Sequence, residues 1–291
     1  MNKGRFSEDI VEQASLAWLE SLNYELIQGA DIVPDGLNQE RKSYTDIILE
    51  DRLFSSLTTI NPKLSPEILK DVCRKIITSR ALDLFEDNYL FHRMLVDGVD
   101  IEYTRDDGSI AGDKAYLIDF ENIANNSFIA VNQFTVVENK RNRRPDIVIF
   151  INGIPLAVIE LKNAVNKNTT LTHAYNQLQT YKKDIPSLFR TNNLLVISDG
   201  IEAKVGSLTA NKERFMPWRT IDGKSIAPKG TAELETLLKG LFRHDILLDL
   251  IRNFTVFEID AEKIVKKIAA YHQYHAVNKA IECTIDASSP S

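Results

Sequence analysis

Asn152-Gly153 lies between two apolar, β-branched runs, Ile147 to Ile151 and Ile154 to Ile159. An Asn-Gly pair suits a two-residue turn because both turn positions need a positive φ. The stretch therefore predicts two adjacent antiparallel strands. Their near-continuous apolar character predicts that both faces are covered.

Three polar residues interrupt this apolar ribbon. Asp146 stands where the first strand begins, and Glu160 and Lys162 lie near the end of the second. Side chains alternate along a strand, so Glu160 and Lys162 share a face while Leu161 points the other way. Folding the ribbon brings Asp146 beside Glu160, fourteen residues further on. Two like charges at the rim of a core are costly unless something neutralises them. A divalent cation does so, and carboxylate oxygens with the Leu161 carbonyl suit Mg2+. The Lys162 ammonium then lies next to the metal, placed to orient or help deprotonate an attacking water. The plainer alternative is a strand pair ending in a solvated ion pair.

Several of these residues carry a resemblance. Pro145-Asp146 followed by Glu160-Leu161-Lys162 resembles the PD-(D/E)xK nuclease signature. Gln177-Leu178-Gln179-Thr180-Tyr181 resembles the Gln-x-x-x-Tyr element of the RecB-like branch. The flanking residues, Asn142-Arg143-Arg144 and Asn163, are similar to those in the amino-terminal nuclease domain of type I restriction enzyme R (HsdR) subunits. The resemblance implies an α/β (α+β) fold: a restriction-endonuclease-like core with a mixed central β-sheet flanked by helices. It implies a nuclease domain over 1–210 with a helical insertion at about 40–97. Residues 211–291 would form a linker and helices leading toward a helicase motor that this chain lacks. It also implies Mg2+-dependent, non-sequence-specific hydrolysis of double-stranded DNA. Asp146, Glu160 and Lys162 would be catalytic, with Asp146 and Glu160 as metal ligands. Gln177 and Tyr181 would contact DNA phosphate or a bound water. The implied partners are the methyltransferase (M) and specificity (S) subunits, with ATP used only by the full-length subunit.

Composition allows a real core in one large domain or in one domain with an appendage. Hydrophobic residues make up 44% of the 291, and no run is long enough to suggest a membrane span. Residues 1–9 lack an apolar signal core. Cys73 and Cys283 are too far apart to suggest a disulfide framework, and read as free core thiols of a cytoplasmic protein. The net charge is −6, yet residues 138–183 hold eight Lys/Arg against three acids. That local surplus surrounds the candidate site, as a phosphate-binding cleft requires. Lys140 to Arg144 reads equally as such a cleft and as a solvated loop.

Along the chain, Ser7 is placed to cap a helix over Glu8 to Leu22 that stops near Asn23. Glu12 on this helix is a candidate extra metal or water contact, and reads first as a surface acid. Tyr24 to Ile27 reads as a strand, then helices follow at about Tyr44 to Leu57, from Ser65-Pro66, and from Ala81 to Leu95. His92 within the last reads as structural. Val99 to Thr104 turns at Asp107-Gly108 and returns over Ala115 to Phe120. Phe128 to Val137 leads into the central ribbon, and a helix over Thr170 to Lys183 carries Gln177 and Tyr181 as i, i+4 neighbours. Leu194 to Ser198 is a buried strand ending at Asp199-Gly200, with Ala203 to Ser207 beside it. Arg214 to Lys229 looks like a linker or surface loop, in which Trp218 reads as packing rather than base stacking. Helices over Ala232 to Arg252 and Ala261 to Glu282 end the chain. Gln273 in the last resembles a glutamine that reads adenine ahead of the R-subunit motor; taken alone it is an ordinary helix residue. The sequence holds no Gly-x-x-x-x-Gly-Lys-Ser/Thr, so this chain is not expected to hydrolyse ATP, and it reads as an amino-terminal fragment.

Two other functions fit the same sequence. One is a non-catalytic docking module anchoring a motor to the methyltransferase core; the other is a stand-alone repair or junction nuclease of the same fold.

Overall fold

In a computed structural model, Asn152 and Gly153 take φ of 55° and 78° and close a two-residue turn between β7 (Ile147–Ile151) and β8 (Ile154–Leu161). The structure describes residues 8–104, 110–162, 167–199, 201–228, 230–260 and 263–288. The expected caps and turns at Ser7, Asp107-Gly108 and Gly200, and Asn163 beside the motif, lie outside these residues. Asn152 is fully buried, and its side chain is saturated with hydrogen bonds. It accepts from the Ser127 amide at 2.8 Å and donates to the Leu117 carbonyl and Asn126 Oδ1, each at 2.8 Å. A buried amide is tolerated only when bonded in this way. Gly153 is pressed onto α2 (Glu50–Ile60), and the Leu49 amide donates to its carbonyl at 2.9 Å.

Six strands form the central sheet in the order β1 (Glu25–Gln28), β4 (Phe128–Asn132), β7, β8, β9 (Leu194–Ser198), β10 (Ala203–Gly206). β1–β4 and β8–β9 are parallel and the other pairs antiparallel, so the sheet is mixed, as expected. Every residue of β4, β7, β8 and β9 is buried, which confirms coverage of both faces. α1 (Glu8–Glu20), α5 (Lys167–Asp184) and α6 (Glu233–Leu241) pack against this sheet. The arrangement is a restriction-endonuclease-like mixed α/β fold.

The helical block holds α2, α3 (Pro66–Ile77) and α4 (Leu84–Asp97). Ser65 caps α3 by accepting from the Ile68 amide, with Pro66 at the first position, as the sequence indicates. The preceding helix starts at Glu50 rather than Tyr44. Arg41, 1% exposed, holds the segment open by donating to the carbonyls of Tyr44, Asp46 and Thr135. α4 starts at Leu84, because Asp83 accepts from the Phe85 and Glu86 amides. β2 (Val99–Thr104) pairs with β3 (Ile110–Ala115), not with 115–120. The Asn61 side chain takes both the N–H and the carbonyl of Tyr116 and ends the ladder there.

The end of the chain departs further from expectation. The single helix over 232–252 is two, α6 and α7 (His244–Asn253), broken at Phe242-Arg243. Tyr24 donates from its hydroxyl to the Phe242 carbonyl at 2.9 Å, which satisfies the break. The expected helix from Ala261 begins only at Tyr271. Before it, β11 (Thr255–Asp260) and β12 (Lys263–Ile268) form an antiparallel hairpin, and α8 (Tyr271–Ser288) follows. The hairpin is anchored by Lys266, 2% exposed, whose ammonium donates to Asn88 Oδ1 at 3.1 Å and the Asn192 carbonyl at 2.8 Å. Between the sheet and these elements, Phe215 and Trp218 are buried, so Trp218 packs, as expected, and Met216 bridges Val205. Cys73 is buried, whereas Cys283 is exposed on α8 and is no core thiol. Among the described residues no helix is long and apolar enough to cross a membrane.

Two stability predictions follow from this packing. A Cβ at Gly153 would stand 2.6 Å from the Leu49 carbonyl oxygen and 2.8 Å from the Leu53 nitrogen. Gly153→Ala should therefore cost more than the roughly 1–2 kcal/mol of left-handed strain alone, read as a lower urea midpoint. His92 is held neutral by burial, with Lys266 adding repulsion, and its pKa falls from the ordinary 6.5 to about 2. The unfolded chain thus binds this proton first, and stability is lost as pH falls below 6.5. Between pH 6.5 and 5 the loss is about 2 kcal/mol at about 1.4 kcal/mol per unit. His92→Phe should remove that part of the slope in denaturation curves taken at pH 7, 6 and 5.

Candidate active site

The site depends on an irregularity in the central ribbon. β7 and β8 slip by one residue between Ile149 and Phe150: Ile149 faces Ala157, Phe150 faces Pro155, and Leu156 is left over. This is a β-bulge, and Pro155, which has no N–H to donate, sits where the regular ladder breaks. Past the bulge Ile147 faces Ile159, and one more step of the same register would set Asp146 opposite Glu160. Residues directly opposite on antiparallel strands share a face. Without the extra residue Asp146 would face Ile159, and Glu160 would turn to the other side.

Hydrogen bonds fix each group in turn. The Leu161 amide donates to Asp146 Oδ2 at 2.7 Å, and the Gln133 amide donates to the Asp146 carbonyl at 2.8 Å. Glu160 is fully buried, and the Lys162 ammonium donates to its Oε1 at 2.7 Å and to the Leu161 carbonyl at 2.9 Å. The Lys162 amide donates to the Ser198 carbonyl at 2.8 Å, tying the end of β8 to β9. Sequence, turn, bulge and ladder thus place two carboxylates, a carbonyl and an ammonium together.

These groups lie at an open cleft of about 480 Å³ lined by Asp9, Glu12, Gln133, Arg144, Asp146, Leu161, Lys162 and Gln177. Glu160 lies beneath the lining, behind Lys162. Gln177 reaches the cleft from α5 and donates from Nε2 to the Tyr181 hydroxyl at 2.5 Å. Tyr181 is 4% exposed, and its hydroxyl also approaches the Arg144 carbonyl at 3.4 Å. Burial raises its pKa above the ordinary phenol value, and the charges of Glu160 and Asp146 raise it further. Both carboxylates are therefore felt at one hydroxyl, which stays protonated and able to donate.

Glu12 is no free surface acid. It lines the cleft, with Asn132 Nδ2 on its Oε1 at 2.8 Å and Gln133 Nε2 on its Oε2. Sequence reasoning missed Gln133 altogether. It has a φ of 52° at the end of β4, and its side-chain amide and main-chain N–H connect Glu12 to Asp146. Gly29 permits this, since a Cβ there would stand 2.5 Å from the Asn132 carbonyl oxygen. Gln273 is not near this cleft's lining; it accepts from the Ala270 amide at 3.0 Å and caps α8.

The donor set suits a hard divalent cation. Among the described residues no three His, Cys, Asp or Glu side chains gather closely enough to hold a metal alone. Mg2+ asks for less: one or two carboxylates, with other oxygens and retained waters completing the shell. Asp146, Glu160 and the Leu161 carbonyl offer that set. Two of these oxygens already cradle a positive charge, the Lys162 ammonium. The charge balance points the same way. Asp9, Glu12, Asp146 and Glu160 oppose only Arg144 and Lys162 here, so an anionic ligand meets a negative cleft unless a cation is added.

Comparison with known proteins agrees with this architecture. Residues 5–214 match the family model described as type I restriction enzyme R protein N terminus. The chain is 40% identical over 287 residues to the type I restriction enzyme HindI endonuclease subunit of Haemophilus influenzae, covering 97% of this chain and 27% of that protein. It is 36% identical over 301 residues to the putative type I restriction enzyme MjaIXP endonuclease subunit of Methanocaldococcus jannaschii, covering 97% of this chain and 28% of that one. The type I restriction enzyme EcoprrI endonuclease subunit of Escherichia coli is 29% identical over 175 residues, 57% of this chain and 52% of that protein. This chain thus spans about a quarter of the length of the first two relatives. On the family match and the 40% identity together, the chain belongs to the type I restriction enzyme R protein N-terminal family.

Proposed function

We propose that this chain is the DNA-cutting module of a type I restriction endonuclease subunit and hydrolyses phosphodiester bonds with Mg2+ in a PD-(D/E)xK site. The observation that carries this is the bulged register that leads to Ile147 opposite Ile159, with the Leu161 amide on Asp146 and the Lys162 ammonium seated on Glu160 and the Leu161 carbonyl. Asp146, Glu160 and the Leu161 carbonyl would hold the metal, and Glu12 would contact it or its water from across the cleft. When bound, the ion supplies Lewis-acid polarisation of the phosphate and lowers the pKa of water.

The chain's own residues do the rest. Lys162 places a fixed positive charge where charge builds up on the scissile phosphate. Its contact with Glu160 keeps that charge from swinging out to solvent. Gln177, oriented by Tyr181, presents a neutral amide to phosphate or water and so does not repel the cation. On this reading the described residues of the cleft lining serve metal, water and phosphate rather than base edges, so cutting would be independent of sequence. In the full-length subunit, site choice would come from the specificity subunit. Cutting would follow ATP-driven translocation by a motor outside this chain. The methyltransferase subunit would complete the complex.

The test is plasmid nicking in Mg2+, by this chain and by the full-length subunit assembled with its partners. Asp146→Asn keeps an acceptor for the Leu161 amide, and Lys162→Ala removes the ammonium with its aliphatic stem, leaving Glu160 to take up a proton. Each should lower cutting by roughly a hundredfold or more, with circular dichroism unchanged. EDTA should abolish it. Restriction that survives both substitutions would overturn this reading and leave the docking role.

A further inference from the structure

The polypeptide enters the cleft through a second, smaller hairpin. β5 (Val136–Glu138) and β6 (Arg141–Arg143) pair with Val136 opposite Arg143 and Glu138 opposite Arg141. The turn is Asn139-Lys140, with φ of 48° and 62°. Both turn residues are therefore left-handed, as in the tight turns that match strand twist and that favour Asn-Gly. Lysine in the second position strains the backbone where glycine would not. Residues held in such strained positions persist only where the surrounding structure fixes them, and they cluster at functional sites.

The base of this hairpin is held rigidly. Val136 is fully buried, and the Val137 amide donates to the Tyr44 carbonyl at 3.1 Å. Glu138, the one acid of the hairpin, is turned onto Ser187, whose amide and hydroxyl both donate to its Oε2. Arg143 is paired with Asp184 on α5 at 2.5 Å. The tip is the opposite. Lys140, Arg141 and Arg144 are exposed, and among the described residues none of them takes part in an ion pair. Arg144 lines the cleft. Arg141 precedes Asp146 by five residues, so it lies within about 17 Å of it at about 3.4 Å per residue. That reach covers about five base-pair steps along the axis of a DNA duplex at 3.4 Å each.

We propose that the β5–β6 hairpin is a rigid finger whose Lys140 and Arg141 grip DNA backbone phosphates beside the cleft, independently of sequence. The finger supplies, a few nucleotides away, the positive charge that the acidic cleft lacks. This rests on the DNA-cutting reading above, but it is tested by binding alone.

Lys140→Gly separates a grip from a structural role, because the two predict different things. Glycine relieves the turn, so thermal denaturation should show an unchanged or raised midpoint. Affinity for a fluorescein-labelled 30-base-pair duplex, measured by anisotropy in EDTA over a range of KCl, should fall. The slope of log affinity against log salt should become shallower by about 0.9, one phosphate contact, and by about twice that in Lys140→Gly/Arg141→Gln. Arg141→Lys, which keeps the charge, should keep the slope. An unchanged slope in the double variant, or no salt-dependent binding by the unaltered chain, overturns the finger. Binding through Lys140 and Arg141 with no Mg2+-dependent cutting by the full-length subunit assembled with its partners overturns the nuclease reading and leaves the finger standing.

Discussion

A single unopposed residue, Leu156, decides which face of the sheet Glu160 occupies. A two-residue turn pairs positions an odd number of residues apart, such as Ile151 with Ile154. Asp146 and Glu160 are an even number apart, so a regular hairpin would send their side chains to opposite faces. The bulge restores a common face and does so in a strand buried along its whole length. Burial then locks the register, because a slip of one residue would drive Glu160 into the apolar layer and Ile159 out of it. The apolar core and the polar site therefore hold each other in register.

That register also governs the charges. A carboxylate as deeply buried as Glu160 is tolerated only with a partner charge or proton. Lys162, two residues on and on the same face, is that partner and is itself only 17% exposed. Asp146 is held from both sides, through its side chain by the Leu161 amide and through its carbonyl by the Gln133 amide. Little freedom remains for either carboxylate to move when a ligand arrives. This preorganisation favours electrostatic chemistry, because the cost of orienting the groups is met by folding. The same logic extends to Glu12, whose two oxygens are both held, by Asn132 and Gln133.

Local chemistry was legible in the sequence wherever local chemistry decided the structure. Asn152-Gly153 announced the turn, Ser65-Pro66 the start of α3, and the apolar runs the doubly covered strands. The bulge left a trace too, since Pro155 and the even spacing of the carboxylates are incompatible with a regular ladder. Long-range contacts left no such trace. Glu12 meets Asn132 across 120 residues of chain, and nothing around Glu12 distinguishes it from a solvated helix acid. The break between α6 and α7 is satisfied by Tyr24, 218 residues earlier. Residues 263–268 misled for a different reason. Ile264 and Ile268 recur at helical spacing, but pairing with β11 and the burial of Lys266 on Asn88 and Asn192 outweigh it.

The path of the chain joins these features into one mechanical unit. β6 ends at Arg143, clamped to α5 by Asp184; Arg144 then lines the cleft, Pro145 is buried, and Asp146 follows at the head of β7. Proline fixes its own φ and restricts the residue before it, so this short connection has few conformations to choose from. A phosphate held at the hairpin tip would therefore sit at a nearly constant distance from Asp146. On the proposed reading, fixed spacing along a backbone that repeats identically at every nucleotide would place the scissile bond without consulting the bases. On that reading the choice of where to cut would come from something other than the cleft.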